Sequence, residues 1–123
     1  MSSSRKLTRL PEKYEPGFLR EMDRRTELHK RLSERYETIV MDAGGMESIA
    51  VVKLSLIERF VFLEAMLQTW EARIVESPKA EEALASRWTQ AINTLQGLAQ
   101  KIGLERLAPR TVDLKTYLKE RAS

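Results

Sequence analysis

Residues 56–74 read Leu56-Ile-Glu-Arg-Phe60-Val-Phe-Leu63-Glu-Ala-Met-Leu67-Gln-Thr-Trp70-Glu-Ala-Arg-Ile74. Leu56, Phe60, Leu63, Leu67, Trp70 and Ile74 step by 4, 3, 4, 3 and 4, which is an apolar seam of coiled-coil type. Ile57, Val61, Phe62 and Met66 widen the seam until the middle of the helix is apolar on most sides. A helix of that kind needs more than one packing partner. Its start is expected near Glu47. Ser55-Leu-Ile-Glu58 has the form of a capping box, which leaves a break or restart there open.

The next helix repeats the rhythm. Leu84, Trp88, Ala91, Leu95, Leu98 and Ile102 again step by 4, 3, 4, 3 and 4. Ser77-Pro78 is expected to open it, serine as N-cap and proline at the first helical position, with Glu81 and Glu82 near the positive end of the dipole. Gly103 ends it, and Leu104 is placed to fold back on the last turn. The connection is too short for parallel helices, so the two seams should zip into an antiparallel hairpin over 55–102. In that register Trp70 faces Trp88, Leu63 faces Leu95 and Leu56 faces Ile102.

Working outward, a helix is expected from about Gly17 to Met41, on Phe18, Met22, Leu28, Leu32, Tyr36 and Ile39. Asp42-Ala-Gly-Gly45 stops it. Residues 1–16, with Pro11, Pro16 and several basic side chains, read as a basic flexible arm. Residues 104–123 read as a linker followed by a short helix from Asp113 bearing Leu114, Tyr117 and Leu118. The expected fold is therefore all-α: an antiparallel hairpin core within a helical domain over 17–103, a charged N-terminal helix and a short C-terminal one.

Composition bounds the chemistry. The chain has 123 residues, 42% hydrophobic and 32% charged, enough for one domain with a real core. No apolar run approaches the roughly 18–20 residues of a membrane span, and no apolar run follows Met1-Ser-Ser-Ser-Arg-Lys6 as a secretory leader requires. Cysteine is absent, which excludes disulfides, thiol nucleophiles and thiolate metal sites. A reducing, cytoplasmic setting is expected. The net charge of +3 is unevenly spread, +3 over residues 1–40, −3 over 41–78 and +3 over 79–123.

No catalytic residue, metal ligand or cofactor is assigned. Gly44-Gly45 lacks the following Lys-Ser/Thr of a phosphate-cradling loop. The single histidine, His29, falls on the apolar side of its helix, with no serine or acid set beside it by sequence. Glu64 reads as a helix-edge acid reaching water or a partner's arginine, with a buried acid as the alternative.

Three surfaces stand out. Arg20, Arg24, Arg31 and Arg35 fall within about 60° on a continuous helical wheel, and Arg5, Lys6 and Arg9 lie just upstream. Such a stripe can follow DNA phosphates. Against it, Glu27 and Glu34 border the stripe, and Glu27–Arg31 is a favourable helix pair. From Trp88 to Gln100 thirteen consecutive residues carry no charge, and the outward side of that stretch is rich in amides. This suits a contact between copies of the chain, made by Phe62, Met66, Thr89, Asn93, Gln96, Gly97 and Gln100. The alternative is that the N-terminal helix covers this face. Finally, Arg110, Lys115, Tyr117 and Lys119 offer a basic tail to a protein partner.

The order of these features resembles a known family. Asp42-Ala-Gly-Gly45 precedes the apolar helix Leu56-Ile-Glu-Arg-Phe-Val-Phe-Leu-Glu64. Trp88-Thr-Gln-Ala-Ile-Asn-Thr-Leu95 leads to Lys101-Ile-Gly-Leu-Glu-Arg106 and then to Val112-Asp-Leu-Lys-Thr-Tyr-Leu118. Over about residues 35–120 this is similar to small helical proteins of phage and prophage packaging regions, akin to terminase small subunits. The resemblance implies a homo-oligomeric ring that binds double-stranded viral DNA and delivers it to a large ATPase subunit. It maps the oligomerising hairpin onto 55–102 and the tail that meets the large subunit onto 104–123. A long charged helix stands where the family often has a compact helix-turn-helix, so weak, nonspecific DNA contact is the expected form. The rival expectation is a helical interaction module or regulator that never meets nucleic acid.

Overall fold

The computed structural model describes residues 6–104. Four helices follow one another: α1, Phe18–Glu21; α2, Glu27–Asp42; α3, Val51–Glu76; and α4, Glu82–Ile102. The described chain contains no β-sheet, only a single parallel bridge between Leu7 and Met22. The all-α class and the α3–α4 hairpin are as expected.

At 1.5 Å per residue, α3 is about 39 Å long, and the rest of the molecule is laid against it. It runs unbroken through Ser55 and starts at Val51, later than Glu47. One side receives α4 and another receives α2 and the N-terminal segment. This is the pair of partners that its all-round apolar surface demands. The hairpin register holds at both ends. The Trp88 indole N–H donates to Glu71 Oε2 at 2.9 Å, one residue from the expected level of Trp70. At the other end Leu56 and Phe60 pack in one cluster with Ile102, Ile57 and Val40.

The hairpin turn is longer than the sequence predicts. Ser77 closes α3 and does not open α4, which starts at Glu82. Glu81 N–H already donates to the Ser77 carbonyl at 3.0 Å. Glu81 itself, at φ −109° and ψ 33°, is off helical geometry, so the helix propagates only after it. Arg73 and Glu81 tie the two sides of the turn at 3.0 Å. At the far end Leu104 does not fold back on α4; it is 78% exposed.

The expected single helix over 17–41 is two helices with a kinked turn between them. Thr26 caps α2, its Oγ1 accepting from His29 N–H at 3.1 Å and donating to the Asp23 carbonyl at 2.8 Å. Asp23 Oδ1 accepts from Arg25 N–H at 2.9 Å. These local bonds compete with helix continuation, and Met22 leaves α1 in an extended conformation. Leu7 then pairs beside it: Leu7 N–H donates to the Glu21 carbonyl at 2.8 Å and Asp23 N–H to the Leu7 carbonyl at 2.7 Å. α2 ends as expected at the glycine pair. Gly45 N–H donates to Val40 and Gly44 N–H to Met41, at 2.9 and 3.1 Å, with both glycines at positive φ. These are the two bonds of a Schellman stop.

Residues 6–17 form a strap on the α2–α3 side rather than a free arm. Leu7, Leu10 and Tyr14 pack on a core of Phe18, Met22, Leu32, Val61, Phe62 and Ala65. Phe62 is the hub of three rings set edge to face, 5.4 Å from Phe18 and 5.6 Å from Tyr14. Such pairs add about 0.5–1.5 kcal/mol each beyond area burial. No helix among the described residues is long and apolar enough to cross a membrane.

Candidate interaction surfaces

Among the described residues, no element covers the outward face of α4. Thr89, Gln90, Asn93, Gln96, Gly97 and Gln100 are all exposed. α2 packs mainly on α3 and reaches the α4 end only around Ile102, so it does not cover this face. Thr89 and Thr94 turn their hydroxyls back to the carbonyls of Ala85 and Gln90, each at 3.2 Å. The side-chain amides between them face solvent. A Cβ added at Gly97 would meet nothing within 4 Å. Nothing among the described residues therefore calls for glycine at this mid-helix position.

Phe62 and Met66, also expected at this surface, do not share its exposure. Phe62 is a correction: it is 4% exposed, locked in the chain's own core, and has no area to offer a second copy. It sits on the strap side of α3, which the seam alone did not distinguish from the α4 side. Met66 is half-buried and lines an apolar groove of about 510 Å³ with Leu63, Thr94 and Leu98. Met41, Met46, Val51 and Val52 leave a second apolar patch where α2 turns into α3, each more than half exposed.

The basic stripe does not exist as a stripe. Arg20 belongs to α1, Arg24 to the turn after it, and Arg31 and Arg35 to α2. The break at 22–26 removes the shared wheel on which they were aligned. Arg35 is bound to Glu64 by two bonds of 2.8 and 2.9 Å, so Glu64 meets an arginine of its own chain. Both partners are partly exposed, and such a pair contributes at most about 1 kcal/mol. It sets α2 on α3. Lys6 and Arg9 are exposed, and Lys6 Nζ donates to the Arg20 carbonyl at 3.4 Å. Arg5, Arg110, Lys115, Tyr117 and Lys119 lie outside the described residues, as do the expected linker and C-terminal helix beyond Leu104.

His29 has a neighbour that the sequence reading overlooked. Ser33, one helical turn on, brings its Oγ to 3.2 and 3.5 Å from the two ring nitrogens. Both nitrogens thus face one hydroxyl, and the carboxylate oxygens of Asp23 are bonded to Arg25. The arrangement lacks the two-sided relay that activates a serine. Among the described residues no group of three or more acids or histidines could hold a metal ion.

The most constructed polar feature was not foreseen. Glu58 of α3 accepts from the Tyr14 hydroxyl at 2.5 Å and from Gly17 N–H at 3.0 and 3.1 Å, clasping the strap to the helix. Arg59 lies over the Tyr14 ring, 4.5 Å from its centre. Burial first, and the Glu58 carboxylate second, push the Tyr14 phenol up to about 12. A folded-state pKa above the unfolded value of about 10 means that this contribution is whole below pH 10 and fades between pH 10 and 12. Absorbance titration of wild type is expected to show a phenol ionising near pH 12, and Glu58→Ala is expected to bring it down towards 10.

Compared with known proteins, the chain matches no family model, no curated protein and no solved structure.

Proposed function

We propose that this chain is a non-catalytic DNA-packaging adaptor of the terminase small-subunit kind. Copies associate through the α4 face, touch double-stranded DNA weakly through basic surfaces, and present it to a large ATPase. One observation carries the reading. Thirteen residues of α4 in a row have no charge, and no other described element covers their amide-bearing side. Exposed helix faces ordinarily carry lysine and glutamate, whereas charge is depleted from the centre of an interface. Weak DNA contacts repeated over an assembly give avidity with no single strong site.

Gly97→Ala tests the interface at its narrowest point. Among the described residues the added methyl meets nothing within 4 Å, so α4 should gain about 1 kcal/mol. If a neighbouring copy approaches closely there, the same methyl obstructs it. The expected result is a variant that melts higher as a monomer yet assembles less. Thermal melts paired with light scattering check both halves.

Ion pairing favours a second reading, a helical interaction module that does not bind nucleic acid. Arg25, Arg35 and Arg73 are each bonded to a carboxylate, which withdraws them from any phosphate. Duplex DNA binding at several salt concentrations separates the two. The packaging role predicts affinity that falls steeply with salt, and the module predicts none.

A further inference from the structure

Between the strap, α2 and the first half of α3 lies an open cleft of about 500 Å³. Arg20, Arg59, Tyr14, Tyr36, Ser55 and Glu58 supply its polar groups, and Leu19, Val51 and Leu54 its apolar wall. Its only carboxylate, Glu58, is already occupied by Tyr14 and Gly17. Unlike Arg25, Arg35 and Arg73, neither Arg20 nor Arg59 has a carboxylate partner among the described residues. The Tyr36 and Ser55 hydroxyls likewise have no hydrogen-bond partner there. The cleft is thus lined by four groups whose hydrogen-bond donors are unpaired among the described residues, two of them cationic, with Arg59 also lying over the Tyr14 ring.

Resting on the DNA-binding part of the reading above, we infer that this cleft seats a backbone phosphate of DNA, with Arg20 and Arg59 on its anionic oxygens and Tyr36 and Ser55 as hydroxyl donors. Guanidinium suits phosphate geometry through paired N–H bonds. A polyanion offers more than a single carboxylate, because Lys6, Arg9 and Lys13 are exposed on the adjoining strap and can meet further phosphates. Glu12, Glu15 and Glu21 are interspersed with them, which keeps each contact weak. Arg59 stands on α3, far in sequence from the basic N-terminal residues, so periodicity could not group it with Arg20. The clasp at Glu58 unites them by holding the strap down.

The test is binding of a duplex oligonucleotide by the full chain across a salt series. Wild type is compared with Arg20→Gln/Arg59→Met, in which methionine preserves contact with Tyr14. The control, Lys79→Gln/Arg87→Gln, removes the same charge from exposed basic residues outside the cleft. Loss of the single phosphate contact is expected to lower the salt slope by about 0.9 and the affinity by roughly 8-fold at 0.1 M salt, with a much smaller loss in the control. Equal losses in both variants overturn the cleft and leave DNA binding standing. A wild type that does not bind duplex DNA even at low salt overturns both. Tyr36→Phe, which keeps charge and ring, is expected to weaken binding severalfold. Should the arginine variant fail to fold by circular dichroism, unchanged affinity in Tyr36→Phe overturns the cleft.

Discussion

Phe62→Ala is expected to lower the free energy of unfolding by about 3–5 kcal/mol. The ring is almost wholly buried, and it joins α3 to the strap through Tyr14 and to α1 through Phe18. Truncation removes its transfer free energy and leaves a cavity between elements that belong to one core cluster with Leu32, Val61 and Ala65. Against a total stability of about 5–15 kcal/mol, a loss of that size brings the domain close to unfolding at ambient temperature. Chemical denaturation of the monomer measures it. A cost under about 1 kcal/mol, with assembly impaired instead, would return Phe62 to a surface between copies and contradict the packing described here.

Glu58→Ala is the second large effect, and it should be local. The substitution strands the Tyr14 hydroxyl and the Gly17 N–H, both of which donate to the carboxylate. Hydrogen bonds to a charged group are worth about 1.5–3 kcal/mol. A release of about 2–3 kcal/mol would open the strap roughly 30- to 150-fold more often. The Leu7 and Asp23 amides, bonded across the strap at 2.8 and 2.7 Å, should exchange faster by that factor. Amides in the middle of α3 and α4 should keep their protection. Uniform acceleration throughout the molecule would show instead that the strap is an inseparable part of the fold.

How far the sequence reaches is clearest along the hairpin. The seams of α3 and α4 are local, long and regular, and they predict the pairing seen at Trp88–Glu71 and at Leu56–Ile102. The glycine pair after α2 is equally local. The N-terminal third is different. Phe18, Met22, Leu28 and Leu32 keep helical spacing across a break, because α1 and α2 turn their apolar sides to the same core. The signals for the break were present: Asp23 and Thr26 are both residues that bond the backbone outside a helix. The apolar rhythm outweighed them. The bridge from Leu7 to Met22 and the clasp from Glu58 to Tyr14 span 15 and 44 residues, and no local pattern encodes such a contact.

The candidate surfaces divide along the same line. The uncharged stretch of α4 was legible because it lies in composition and a single helical face, and its polar side chains are exposed. The arginine stripe failed because it required one unbroken helix. Arg59 and Glu58 were read only as members of the α3 helix, since their partners come from the strap.

Self-association through α4 is the claim on which the proposed role stands, and the molar mass of the intact chain in solution tests it most directly. Light scattering at micromolar concentration is predicted to give a multiple of 14.2 kDa for wild type, reduced by Gly97→Ala. A mass of 14.2 kDa at every concentration examined, unchanged by that substitution, would contradict the account.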